Sequence, residues 1–221
     1  AYHQFGNTIK LAHCYAGTFS DSVRKLKDNG AKVTYTAAAH NIELSRREHE
    51  VYGIPFNYPH LTTPQLWSRY LAGYLAADVV LCPSTHSAGI MRGYGCKNVA
   101  IIPHGCTLPQ SVAPLPPSFR VGYLGSYGPD KGVIYLLQAW RKLNYKDATL
   151  VLAGRDSTSA FVRQLVAQHG GGAVELRGWV KNVSDFYGSI SILCQPSVSE
   201  GFGLEVLEAM AHGRPVLCSK G

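Results

Sequence analysis

No apolar run in this chain of 221 residues approaches the ~18 residues that a membrane-crossing helix requires, so the sequence offers no candidate span. Residues 1–11 lack the pattern of a signal peptide. None of the six cysteines stands in a C-x-x-C, and no Cys/His group has zinc-finger spacing, which excludes a zinc ribbon and a dithiol redox motif. Charged residues make up only 16%, too few for a disordered, self-repelling chain. Lysine and arginine never cluster into a block of the kind found in nucleic-acid-binding arms. The net charge of +7 is spread over both halves and reads as a diffuse surface field that favours anionic partners.

What is present suits a packed α/β protein. Hydrophobic residues make up 46%, and 23 glycines and 12 prolines supply the turns of a chain that alternates strands and helices. Cys82, Cys194 and Cys218 lie in apolar runs and read as buried thiols, a usage that fits a reducing cytosol. The first stretch is ambiguous between strand and helix. Next come helix-forming residues over 21–29, a strand over 31–39 that ends at His40, and a helix over 42–51. Pro64 opens a helix with Leu66, Tyr70, Leu71, Tyr74 and Leu75 on one face. A strand over 78–82, a helix capped by Ser84 and a strand over 98–102 complete the first half.

Residues 107–118 hold four prolines and no charge, which marks a stiff linker between domains at 1–106 and 119–221. The second half is more regular. Strands are expected over 119–125, 148–154, 173–176, 191–194 and 215–218. Helices are expected over 131–143, 157–169, 183–188 and 204–212, the first with Val133, Leu136, Leu137, Trp140 and Leu143 inward. Short apolar strands alternating with amphipathic helices imply parallel βαβ units, whose ligands sit at the carboxyl ends of the strands. The loops at 125–132, 154–157, 177–182 and 195–204 are therefore the candidate site.

The most informative segment runs from Pro196 to Ala211, PSVSEGFGLEVLEAMA. A strand ends, a loop carries Glu200, Gly201, Phe202 and Gly203, and a helix follows from Leu204. Glycines let the backbone approach a ligand, and the helix start offers N–H groups and a partial positive charge to an anion. Glu208, one to two turns in, can point back to the same mouth, and a carboxylate suits a pair of hydroxyl donors. Glu205 shares its face and reads as a solvated surface acid.

This stretch resembles the E-x7-E signature of the family-4 retaining glycosyltransferases, with Glu200 and Glu208 as the two acids. Its context also matches: Glu-Gly-Phe-Gly-Leu, Leu-Glu-Ala-Met-Ala, then Gly213-Arg214-Pro215-Val216. The resemblance implies a GT-B fold: two Rossmann-like parallel-sheet domains facing a cleft, both incomplete here, with 1–106 on the acceptor side and 119–221 binding the nucleotide sugar. It implies that Glu200 lies by the donor sugar and its leaving phosphate and that Glu208 binds the ribose hydroxyls. The amides of Gly201 to Leu204 would meet the sugar and pyrophosphate. The loop from Gly125 to Gly132 is similar to the family's Gly-Arg…Lys-Gly loop: Lys131 keeps its place on the pyrophosphate, while Ser126 stands where Arg is usual, and Arg155 is a candidate substitute. His40 resembles the first-domain histidine that faces the donor sugar. The loop of Trp179, Val180 and Lys181 corresponds to the one beside the base, with Trp179 equally readable as core. His104 replaces the Asn of a strand-end turn and reads as structural, as does His212.

The resemblance implies transfer of a sugar from a nucleotide-diphosphate donor, such as a UDP- or GDP-sugar, to an acceptor hydroxyl with retention. It implies no metal and no cofactor, and the sequence contains no Asp-x-Asp. Expected partners are the donor and a sugar, lipid-linked or small-molecule acceptor, with no nucleic acid. The expected location is the cytoplasm, with peripheral association at the inner face of the membrane open to a basic surface. Two alternatives stand beside this reading: a nucleotide-sugar epimerase on the same fold, and a non-catalytic nucleotide-sugar-binding or scaffold protein. The chain reads as the middle of a longer protein.

Overall fold

The computed structural model describes residues 9–15, 20–37, 50 and 64–219. The chain forms two compact units, one running to His104 and the other from Gly105.

The first unit contains a parallel sheet of β1 (Leu11–Cys14), β2 (Lys32–Thr36), β3 (Val79–Cys82) and β4 (Val99–Ile101), in that order. Around it lie α1 (Ser20–Asp28), α2 (Pro64–Ala76) and α3 (Thr85–Gly93). The ambiguous first stretch is thus a strand. Val33, Tyr35, Val80 and Cys82 from the sheet meet Val23 of α1, Tyr74 of α2 and Met91 of α3 in the core. The Tyr35 and Tyr74 rings lie 4.4 Å apart between centroids. Ser84 caps α3 by accepting the Ser87 N–H at 3.0 Å. Leu75, expected on the inward face of α2, is exposed: it sits one residue past buried Tyr74, rotated off the stripe. His40 and nearly all of the helix expected over 42–51 lie outside the described residues.

In the second unit five parallel strands run in the order β7-β6-β5-β8-β9: β5 (Phe119–Leu124), β6 (Ala148–Ala153), β7 (Ala173–Gly178), β8 (Ile192–Gln195) and β9 (Val216–Cys218). The helices are α4 (Val133–Leu143), α5 (Ala160–His169), α6 (Val183–Gly188) and α7 (Leu204–Ala211). The chain leaves β5 towards β6 and leaves β8 towards β9, in opposite directions. The carboxyl ends of β5 and β8 therefore bound a switch-point crevice.

Several boundaries differ from expectation for local reasons. Lys131 is not in α4 but ends a 3-10 turn (Pro129–Lys131), and left-handed Gly132 separates the two. α5 starts at Ala160 rather than 157, because the Ser159 hydroxyl accepts the Val162 N–H at 3.2 Å. Ser157 instead accepts the Gly178 N–H from β7 at 2.7 Å. Val133, Leu136, Leu137 and Trp140 are buried, but Leu143 is exposed where α4 ends at left-handed Asn144, and Ile134 is buried with the others. Cys194 is buried, whereas Cys218, expected to be buried, is exposed on edge strand β9.

The proline-rich segment is held to the second unit by buried Arg214. Its Nη2 donates to the carbonyls of Ala113 at 2.7 Å and Pro114 at 3.0 Å, while Nε donates to the Tyr187 carbonyl at 2.7 Å. No helix among the described residues is long and apolar enough to cross a membrane.

Candidate functional site

Loops at the carboxyl edge of the second sheet enclose a cavity of about 410 Å³. Leu124, Gly125 and Ser126 enter from the end of β5, and Gly154, Arg155 and Asp156 from the end of β6. Trp179, Val180 and Val183 follow β7, and Leu204, Glu205 and Glu208 come from α7. The first two loops touch backbone to backbone: a Cβ at Gly154, whose φ is +133°, would stand 2.0 Å from the Gly125 carbonyl oxygen, so only glycine fits. Trp179 is 62% exposed, not core, and the Arg155 guanidinium lies 5.3 Å from its ring centroid.

α7 points its start into this cavity. Gly203 caps it in the left-handed region, with no side-chain cap, so the backbone N–H groups of the first turn carry the positive end of the helix dipole. Glu208 lies one turn in, its Oε2 accepting from the Tyr187 hydroxyl at 2.9 Å. Burial and the adjacent Glu208 charge raise the Tyr187 pKa, so the phenol keeps its proton and donates. The same hydroxyl lies 3.1 Å from the Glu205 carbonyl. Buried His212 stands behind it, with Nδ1 2.7 Å from the Glu208 carbonyl and Nε2 2.9 Å from the Ser184 hydroxyl. A carbonyl only accepts, so Nδ1 carries a proton and donates it to Glu208.

Glu205 is not the solvated acid that its spacing suggests. It is half-buried in the cavity wall, and burial, reinforced by the charges of Glu200 and Glu208, raises its carboxyl pKa above 4.5.

The Lys131 ammonium donates to Glu200 Oε2 at 2.8 Å, with 16% and 28% of the two side chains exposed. Burial pulls the Lys131 pKa down, but the hydrogen bond and charge of Glu200 outweigh it and the net shift is upward. Burial pushes Glu200 up, but Lys131 and the amides of Gly201 and Phe202 outweigh it and the net shift is downward. The two loops are laced by their backbones: the N–H groups of Val198 and Ser199 donate to the Asp130 carbonyl at 2.8 and 3.2 Å.

Of the residues singled out from sequence, Gly125, Ser126, Val180, Leu204 and Glu208 line the cavity. Lys131, Glu200, Gly201, Phe202 and Gly203 are not among the lining residues, and His40 lies outside the described residues. Ser126 is exposed, and its carbonyl accepts from the Tyr123 hydroxyl. Tyr187 and Arg214 were missed as site supports, since their contacts span distant parts of the sequence. Among the described residues no group of three or more His, Cys, Asp or Glu is placed to hold a metal ion.

Residues 118–221 match the family model described as Glycosyl transferases group 1. An uncharacterized glycosyltransferase of Haemophilus influenzae is 38% identical over 107 residues, covering 46% of this chain and 30% of that protein. Sucrose-phosphate synthase from Thermosynechococcus elongatus shares the fold with a TM-score of 0.73 at 21% identity, over 98% of this chain and 57% of that one. The Anabaena protein HepE, solved in complex with UDP and glucose, has a TM-score of 0.71 at 17% identity, over 99% of this chain and 61% of that one. The chain thus spans less than a third of the length of its Haemophilus relative.

Proposed function

We propose that the protein transfers a sugar from a nucleotide-diphosphate sugar to an acceptor hydroxyl, with retention and without a metal, a reading supported by the match of residues 118–221 to the Glycosyl transferases group 1 model and by the parallel α/β architecture shared with GT-B glycosyltransferases. The observation that carries this reading is the cavity itself. At about 410 Å³ it lies at the strand-order switch point and combines apolar walls with a helix start and the Glu208 carboxylate.

Each wall suits one part of such a donor. Val180 and the Trp179 ring offer a flat, apolar place for a base. Glu208, oriented by Tyr187, accepts the ribose hydroxyls. The pyrophosphate lies against the start of α7, with Lys131 close by and Arg155 providing a cation on the wall where Ser126 supplies none. Glu200 lies towards the sugar. The sugar–phosphate bond breaks as the acceptor oxygen attacks from the same face, and the departing phosphate takes the acceptor proton. The helix dipole and Lys131 stabilise the charge growing on that phosphate. HepE, crystallised with UDP and glucose, supports this choice of ligand.

A second reading, a non-catalytic nucleotide-sugar binder, is favoured by Ser126 and by the ion pair that engages both Lys131 and Glu200. Calorimetry with UDP, GDP and ADP, with and without EDTA, tests the site. One diphosphate is expected to bind whether or not EDTA is present, and Glu208→Ala to weaken it at least tenfold, the loss of a charged hydrogen-bond acceptor. No heat from any nucleotide would sink the donor-site reading, and binding without turnover of the matching nucleotide sugar would leave the binder.

A further inference from the structure

Beneath the candidate site lies a polar group with nothing to bind. Gln195, the last residue of β8, is 2% exposed, and neither Nε2 nor Oε1 of its side chain has a hydrogen-bond partner. These are the only buried side-chain atoms left unsatisfied among the described residues. The amide is not in an arbitrary place. Its Nε2 lies 3.7 Å from the point where a Cβ on Gly125 would stand, and the Tyr123 hydroxyl lies 3.0 Å from the same point. Gly125 is therefore floored by two polar side chains. Tyr123 donates its hydrogen to the Ser126 carbonyl, so that partner is committed, and Gln195 is not.

Gln195 also sits between the two loops that border the cavity. The next residue, Pro196, packs its carbonyl against Gly132, where a Cβ would come within 2.0 Å. The Ser219 N–H binds the Gln195 backbone carbonyl at 3.4 Å, which leaves the side chain as the part directed at the Gly125–Ser126 turn. A buried carboxamide with both ends unpaired is unfavourable, and an apolar residue of similar size would fill the space without that cost. A group kept under such a penalty in one state of a site is explained when another state satisfies it.

We propose that Gln195 is a positioning residue for the donor-bound state: when the Gly125–Ser126 turn settles over the donor phosphates, its peptide hydrogen-bonds the Gln195 side chain and is fixed by it. The inference rests on the donor-site reading given above. In the free protein the amide then contributes nothing to stability, and in the complex it fixes the position of that turn against the phosphates.

The test compares the full chain with Gln195→Leu and Gln195→Met, by thermal unfolding without ligand and by calorimetry with UDP, GDP and ADP. The expected result is an unchanged or raised unfolding midpoint without nucleotide, together with about tenfold weaker binding of whichever diphosphate the native chain binds. Native affinity in both variants would overturn the inference and leave the donor-site reading intact. A lowered midpoint without nucleotide in both variants would overturn it as well, because the amide would then have a partner, such as an enclosed water, in the free protein. Failure of the native chain to bind any of the three nucleotides would remove the donor-site reading and this inference together.

Discussion

Glu200 and Glu205 stand five residues apart, yet their surroundings drive their carboxyl groups in opposite directions. Glu200 meets Lys131 at 2.8 Å and the amides that follow it, so its pKa lies below 4.5. Glu205 gains burial and two neighbouring negative charges, so its pKa lies above 4.5. Lys131→Met strips Glu200 of its cation in a largely buried setting and is expected to destabilise the protein by about 2 kcal/mol at pH 7. The sign follows from linkage. A lowered acid pKa contributes stability above its unfolded value of 4.5 and loses it as pH falls through the lowered pKa. A raised lysine pKa contributes below 10.5 and loses it as pH rises through the raised pKa. Urea melts at intervals from pH 3 to 9 should therefore show a difference between native and variant that is flat near neutrality and shrinks below pH 4.5. Glu205→Gln behaves the other way. A raised acid pKa favours the fold only below 4.5 and loses that contribution as pH rises through the raised pKa, so the ionised Glu205 weakens the fold at neutral pH. The amide variant is expected to melt higher than native at pH 7, with the advantage gone at pH 4. No spacing rule could distinguish these acids. Glu205 and Glu208 share a helix face at i and i+3, and what separates Glu205 from a surface acid is its place in the wall of the cavity, beside the charges of Glu200 and Glu208.

At the scale of elements, glycines set how the site loops meet α4 and α7. Gly203 holds φ at +81°, but a Cβ there would find ordinary contacts, 3.5 Å from Val206 and 3.7 Å from Glu200. Gly132 holds φ at +68°, and a Cβ there would stand 2.0 Å from the Pro196 carbonyl oxygen. Gly203→Ala therefore carries backbone strain alone, about 1–2 kcal/mol, whereas Gly132→Ala adds a backbone clash between the β5 and β8 loops. Thermal melts should rank Gly132→Ala well below Gly203→Ala, and equal midpoints would refute the close approach. Most elements were legible because parallel strands buried on both faces read as short apolar runs: each expected strand of the second sheet lies within two residues of its observed bounds. Helix edges were less so. Ser159 claims the start of α5 through its hydroxyl, and Gly132 cuts Lys131 away from α4. Leu75 and Leu143 fit apolar stripes in sequence yet face solvent, because inward facing also depends on where each helix ends and what covers it.

On the scale of the whole molecule, the GT-B architecture was legible from the alternation of strands and helices together with the E-x7-E segment, and the parallel sheets agree with it. The contacts that assemble the candidate site were not. Tyr187 orients Glu208 from 21 residues away, and Arg214 reaches Ala113 across 101 residues. Such pairings depend on strand order, which the sequence does not spell out. The wall of the cavity is more local: every residue lining it belongs to the second unit, which has its own sheet and its own buried cluster around Val151, Phe186, Ile190 and Leu193. The proline-rich segment is also fastened to that unit through Arg214. A fragment of residues 105–221 should therefore fold cooperatively and bind the same nucleoside diphosphate as the full chain, within about a factor of three in affinity. It should show no sugar transfer, since an acceptor site is expected on the other unit. Chemical denaturation followed by circular dichroism checks the first part, and calorimetry with the matching diphosphate checks the second. A folded fragment that fails to bind would mean that donor recognition draws on residues of the first unit, and the cavity would then be only one part of the donor site.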